Sequence, residues 1–274
     1  MEHQQELRSN SCKGMRWHSL FCSIMKGKIL MGKAKYYLAV ATVFAACVLI
    51  YMAYCCRSGR LNSFWARTYE VQGIDVSHYQ GDIRWREMER QDIDFAYIKA
   101  TEGSSSVDGY FEKNWREAKA SSMYVGAYHF FSFDSAGESQ AEHFIRTVGS
   151  LQGCLCPVVD VEYYGDKEKN PPSVQDVKEQ LGTMLKILEK EYGKKPVIYT
   201  TYQVYGKYIK NNFGKYPLWL RNVYYPPIFP KKGKWIFWQY SDTEKLSGYQ
   251  GEEELIDRDV FRGNEKELKK YIIQ

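Results

Sequence analysis

Histidine is scarce in this chain, five among 274 residues, and no histidine cluster accompanies Cys154 and Cys156. That argues against a zinc site of the finger or ribbon kind. No glycine-rich loop of the phosphate-cradling type is present either, and the sequence shows no internal repeat. Low-complexity sequence is confined to a short stretch, Ser58–Arg67, so one domain is the economical reading of the chain beyond it. Five of the seven cysteines, Cys12, Cys22, Cys47, Cys55 and Cys56, precede that stretch. Only Cys154 and Cys156 remain, spaced too closely for an easy strand disulfide, and they read as small apolar residues at a strand entrance.

Charge is missing altogether from Tyr36 to Cys56, YYLAVATVFAACVLIYMAYCC. As a helix this segment would be about 31 Å long, close to the hydrocarbon thickness of a bilayer. Tyrosines near both ends fit the interfacial belt, and the segment has no polar stripe of the kind a buried core helix carries. Lys26, Lys28, Lys33 and Lys35 precede it, while Arg57, Arg60 and Arg67 follow. The balance leans to a cytoplasmic N-terminus, with the rest of the chain outside. Met31 is an alternative start. Phe44-Ala45-Ala46-Cys47 resembles a lipoprotein cleavage site, yet the apolar run continues past Cys47 as an uncleaved anchor would.

The charge divides at the same place. Residues 1–66 hold nine Lys/Arg and two Asp/Glu, a net +7, whereas the remainder carries a net −2. The basic overall balance therefore belongs to the flanks of the apolar segment and gives no ground for nucleic-acid binding. The expected organisation is a basic tail over 1–35, a transmembrane anchor over 36–56, a linker over 57–69 and a folded domain over 70–274.

Within that domain, short apolar runs alternate with amphipathic stretches. Strands are expected at Val71–Val76, Phe95–Ala100, Tyr124–Phe131, Pro157–Glu162, Val197–Thr200, Leu218–Arg221 and Trp235–Tyr240. Helices are expected at Tyr110–Ser121, Ala136–Val148 and Ser173–Tyr192, the last opened by Ser173 as N-cap. Such alternation points to a parallel sheet with helices around it, either an α/β barrel or a doubly wound sheet. Chemistry in such folds collects at the C-terminal ends of strands.

Acids stand at those ends. The first strand carries Asp75, the second runs into Glu102, the fourth carries Asp160 and Glu162, and a C-terminal run carries Asp257 and Asp259. On a strand Asp160 and Glu162 share one face, roughly 6–7 Å apart along the chain, with Val159 and Val161 on the other. Forcing two like charges together raises the pKa of one, which is how a general acid is made at neutral pH. Aromatic residues make up 16% of the chain, and many cluster at the same ends: Tyr128, Phe130, Phe131, Tyr163, Tyr199, Trp219, Trp238 and Tyr240, with His129 among them. Flat apolar faces beside carboxylates are what a sugar-binding cleft offers.

Read in order, GIDVSHYQG (Gly73–Gly81), FAYIKATEG (Phe95–Gly103), VGAYHFF (Val125–Phe131), PVVDVE (Pro157–Glu162), WQYS (Trp238–Ser241) and IDRDVF (Ile256–Phe261) resemble glycoside hydrolase family 25, the muramidases of the Chalaropsis-lysozyme type. The resemblance covers about residues 70–270. It implies an irregular TIM-like barrel, five βα units followed by antiparallel strands. It also implies hydrolysis of the β-1,4 bond between N-acetylmuramic acid and N-acetylglucosamine in peptidoglycan, by a monomer, without metal or cofactor. Glu162 takes the general-acid role, Asp160 is its partner toward the substrate N-acetyl group, and Asp75 and Asp257 hold and tune the pair. Tyr128, His129, Phe130, Tyr163, Tyr199, Trp219, Trp238, Gln239, Tyr240, Lys99 and Glu102 fall at substrate-binding positions. Arg258, between Asp257 and Asp259, is placed to depress nearby pKa values. Ser106 and Gly109 stand where the family often has an aromatic and a proline.

Three other readings compete. A cell-wall-binding module that has lost catalysis would lack one of the four acids, and none is missing. A phosphoesterase using Asp75, Asp160, Glu162 and Asp257 as ligands for a hard cation lacks its phosphate loop. A chitinase-like hydrolase would need further acids before Asp160, where Cys154, Cys156 and Val158 stand.

Overall fold

The computed structural model describes residues 33, 35–55, 60–228 and 235–274. Met31, Cys12, Cys22, Cys56, Arg57 and the tail before Lys33 lie outside the described residues. The chain divides into two units, Met1–Cys55 and Cys56–Gln274. In the first, Lys35–Cys55 forms one apolar helix, α1, long enough to cross a membrane as an anchor or to serve as a signal sequence. Its large side chains, among them Leu38, Phe44, Leu49 and Ile50, are exposed on all sides within that unit.

The second unit is built around a closed sheet. Its strands are β1 (Val71–Val76), β3 (Phe95–Glu102), β5 (Tyr124–Phe130), β6 (Val158–Val161), β7 (Val197–Thr201), β8 (Leu218–Arg221), β9 (Trp235–Glu244) and β11 (Ile256–Phe261). They follow one another around the ring in that order, and β11 pairs with β1 to close it. Among the described residues, three short strands lie outside the ring. β4 (Ser106–Val107) pairs with the end of β3, while β2 (Asp82–Ile83) and β10 (Tyr249–Gln250) form a separate ribbon.

Neighbours from β1 to β9 are parallel, and only β11 runs antiparallel to both its partners. Several antiparallel strands were expected after five βα units, so β8–β9 corrects that picture. The connection over 222–234 is long enough to bring the chain back to the start of the barrel with no helix among its described residues. Residues 245–255 also lack a helix and return the chain as a hairpin-like arm, which forces β11 antiparallel.

Helices α3 (Trp85–Met88), α4 (Phe111–Ala118), α5 (Gly137–Val148), α6 (Val174–Tyr192) and α7 (Tyr202–Val204) follow the first five parallel strands. Ser173 caps α6 by accepting from the Asp176 N–H at 3.1 Å. Part of the expected linker is structured. Residues Arg60–Ala66 form α2, which packs on β9. Its Asn62 is fully buried and donates from Nδ2 to the carbonyls of Asn222 and Tyr240, at 2.9 and 3.0 Å.

Strand alternation gives the barrel a lumen with two layers. The lower layer is aromatic: Phe95, Tyr97, Trp219, Phe237 and Phe261 are buried against one another. Room for two of these rings comes from glycine. A Cβ on Gly73 would lie 2.2 Å from the Phe95 ring, and one on Gly126 would lie 2.2 Å from the Tyr97 ring. The filled floor makes the barrel a packed core rather than a pore, so a ligand can enter only from the upper layer.

Candidate active site

Above the aromatic floor, the C-terminal ends of the parallel strands and the N-terminal end of the antiparallel β11 present polar side chains into a cleft of about 770 Å³. β1 contributes Asp75, β3 Lys99, β5 Tyr128 and Phe130, β7 Tyr199, β8 Arg221, and β11 Asp257. β6 contributes Val158 and Asp160, and Glu162 and Tyr163 follow just past its last residue. Trp219 forms the junction with the floor, and Asp242 stands beside Arg221. All four acids expected to act together thus line one cavity.

The acids are held by a chain of donors. Tyr199 donates its O–H to Gln239 Oε1 at 2.9 Å, and Gln239 donates from Nε2 to Asp75 Oδ2 at 2.8 Å. Gln239 therefore acts from below the cleft wall. Lys99 donates to Glu102 at 2.7 Å and sits 4.9 Å from the centre of the Phe130 ring. Glu102 itself is on the rim, half exposed, and reaches the cleft only through that ion pair.

Burial and like charge govern ionisation here. Desolvation lifts Asp160 well above the carboxylate range, reinforced by Glu162 and Asp75. Glu162 is raised by burial and Asp75, with Arg221 and Lys99 pulling it down. Asp257 is pushed up to about 9 by burial, then by Asp75 and Asp242. In the open cleft the proton of the Asp160–Glu162 pair thus leans toward Asp160, the more deeply buried member. Asp160 Oδ1 is buried and has no hydrogen-bond partner among the described residues. A buried carboxyl oxygen left without a protein partner is a place for a substrate donor or acceptor.

Three expected sugar-binding residues lie elsewhere. His129 is fully buried on the outer face of β5, hydrogen-bonded to Thr101 Oγ1 at 2.7 Å and Gln140 Oε1 at 3.0 Å. Burial pushes its pKa down to about 3, so it is neutral and structural. Trp238 and Tyr240 face outward beneath α2, where Trp238 Nε1 donates to the Asn222 carbonyl at 3.0 Å. In each case the side chain is one residue out of phase with the inward positions of its strand.

Arg258 is corrected by the same rule. It faces Tyr240 rather than the cleft, and the cation that acts on Glu162 and Asp257 is Arg221. Ser106 and Gly109 do not line the cavity; Ser106 belongs to β4, and its carbonyl bonds His143 Nε2 at 3.0 Å. Arg221, Asp242, Ser77 and Tyr79 line the cleft without having been singled out from the sequence. Arg221 had a legible signal, a cation at the last position of an expected barrel strand. Cys154 and Cys156 are buried free thiols, and burial pushes Cys156 up to about 12, which leaves it unreactive.

The model of glycosyl hydrolases family 25 matches residues 74–249 of the chain, from the second half of β1 through β9. The chain belongs to that family. A family 25 glycosyl hydrolase from Bacillus anthracis is 53% identical, with a TM-score of 0.71, over 75% of this chain and 94% of that one. A bacterial lysozyme from Streptomyces coelicolor is 31% identical, with a TM-score of 0.66, over 75% of this chain and 98% of that one. Lysozyme M1 of Streptomyces globisporus is 33% identical over 219 residues, covering 74% of this chain and 71% of its own. As a family 25 member, the chain is a glycoside hydrolase of the lysozyme kind.

Proposed function

We propose that this family 25 hydrolase cleaves the β-1,4 bond between N-acetylmuramic acid and N-acetylglucosamine in peptidoglycan, with net retention through the substrate's own N-acetyl group. The observation that carries the reading is the Asp160 Oδ1 left without a partner among the described residues, buried at the cleft wall two residues from Glu162. Asp160 receives the N-acetyl N–H and orients its carbonyl oxygen toward the anomeric carbon. The proton held by the pair passes to Glu162, which delivers it to the leaving glycosidic oxygen. Water then opens the oxazolinium ion on the same face, with Glu162 as base. Such assistance replaces the second carboxylate of the two-carboxylate scheme. Asp75 and Asp257 fix the pair from either side. Phe130, Tyr128, Tyr163, Tyr199 and Trp219 line the path of the glycan. The apolar helix anchors the enzyme so that its cleft works outside the cytoplasm, on wall polymer.

Turnover of purified peptidoglycan by the wild type and by Glu162→Gln tests this. Loss of about 10²–10⁴-fold is expected from removing a general acid, with N-acetylmuramic acid at the new reducing end by mass spectrometry. Equal activity of the two proteins removes Glu162 from its role. Nuclear magnetic resonance of early products should show the β-anomer, and an α-anomer would end the retention reading.

A further inference from the structure

Beneath Asp75 lies a second carboxyl that no substrate can reach. Asp259 is fully buried and stands on β11 opposite Gly73 of β1 and Gln239 of β9. Its Oδ1 accepts the Trp219 Nε1–H at 2.9 Å. Its Oδ2 receives no N–H or O–H among the described residues. The side chain nevertheless lies within hydrogen-bonding reach of Asp75. Two carboxyls in contact inside a protein cannot both be ionised, so one of them holds a proton.

The surrounding donors decide which. Tyr199 remains a phenol, because burial and the nearby acids lift it well above its usual range. Its O–H goes to Gln239 Oε1, which orients that amide and aims Nε2 at Asp75 Oδ2. Asp75 therefore accepts a directed N–H and also feels Arg221. Asp259 has the indole N–H alone, and its charged neighbours are the acids Asp75 and Asp257. The anion is better placed on Asp75 and the proton on Asp259, through the one oxygen of Asp259 that nothing else engages.

We propose that Asp259 is a positioning residue that remains a neutral carboxylic acid and donates its O–H to Asp75, fixing Asp75 as the anion of the two. This rests on the role given above to Asp75 in the cleft. The consequence reaches the reacting pair, since a charged Asp75 holds the proton on Asp160 and Glu162. Asp259 thus acts at one remove, through Asp75, on the group that must be protonated when the glycan arrives.

Asparagine at 259 can reproduce both contacts, accepting from Trp219 with Oδ1 and donating to Asp75 with Nδ2, whereas leucine reproduces neither. Asp259→Asn is expected to keep kcat/KM within about threefold and to leave the alkaline limb of the pH profile in place. Asp259→Leu is expected to lose on the order of tenfold or more and to move that limb to lower pH, because an undirected Asp75 takes up a proton. The infrared difference between wild type and Asp259→Asn at neutral pH should show one protonated carboxyl band lost. Loss of an ionised carboxylate band instead, or an asparagine variant as impaired as the leucine one, overturns the proposal. If the leucine variant does not fold, the asparagine variant and the infrared band still decide. A wild-type protein inactive on peptidoglycan counts against the hydrolase reading alone, and the band then still places the proton on Asp259 or elsewhere.

Discussion

Arg221 binds Asp242 across 2.7 Å at the lip of the cleft, and from that tether its charge acts on Glu162 and Asp257. The guanidinium opposes the desolvation that raises both carboxyls. It is held by Asp242 rather than by the reacting pair, so Glu162 is moderated without being locked in an ion pair.

Replacing that cation should move the reaction's pH window. In Arg221→Met only Lys99 still opposes burial at Glu162, so its pKa rises further and the alkaline limb of kcat/KM shifts upward by about one pH unit. The acidic limb moves the same way, because Asp160 also loses the pull of Arg221. An unchanged profile would mean that Arg221 does not set the ionisation of the pair.

Asp257 should weaken the fold as pH rises. Its pKa is near 4 in the unfolded chain and about 9 when folded, so between these values the folded state holds a proton that the unfolded state has released. Stability from this group is complete below about pH 4 and is lost as pH climbs toward 9. Asp257→Asn removes the penalty. It should raise stability by roughly 1–3 kcal/mol at pH 8 and by less at pH 5, as read by urea denaturation, while lowering activity.

His129 should matter for folding and not for chemistry. With its ring between Thr101 and Gln140, His129→Ala leaves the buried Thr101 hydroxyl without its partner and opens a void, while Gln140 Oε1 keeps the Ser132 N–H, a cost of about 2–4 kcal/mol. Because the folded ring titrates near 3 and the unfolded one near 6.5, its contribution is present above pH 6.5 and is lost as pH falls toward 3. The pH profile of kcat/KM for the fraction that remains folded should match the wild type. A missing acid limb in the variant would instead place His129 in the reaction.

Asn62 gives a test of where the domain begins. Asn62→Ala deletes two hydrogen bonds to the β8–β9 region, taking the Asn62 donor from the Tyr240 carbonyl and leaving the Asn222 carbonyl with the Trp238 Nε1–H. A loss of about 1–3 kcal/mol in chemical denaturation is expected, with kcat and KM unchanged. No loss of stability would return residues 60–66 to the status of a linker.

Much of this architecture could be read locally. Val71–Val76, Leu218–Arg221 and the Ser173-capped helix carry their period and their caps within a few residues of sequence, and all three stand where expected. The pairing of Asp160 with Glu162 on one face is equally local, since it needs only the two-residue period of a strand. His129, Trp238 and Tyr240 were misplaced because membership of a strand says nothing about which face looks inward. In VGAYHFF the inward set contains Tyr128 and Phe130, a choice made by the neighbouring strands and by Tyr97 filling the space at Gly126.

By itself, then, the sequence determined the apolar helix, the strand–helix alternation and the acids that would have to meet, because periodicity and composition act over a few residues. Only the tertiary structure decided that β11 closes the ring beside β1, that Arg221 rather than Arg258 joins Lys99 as a cation of the cleft, and that Asp259 lies under Asp75. Those relations join residues far apart in the chain, and closure of the barrel sets them through register and burial.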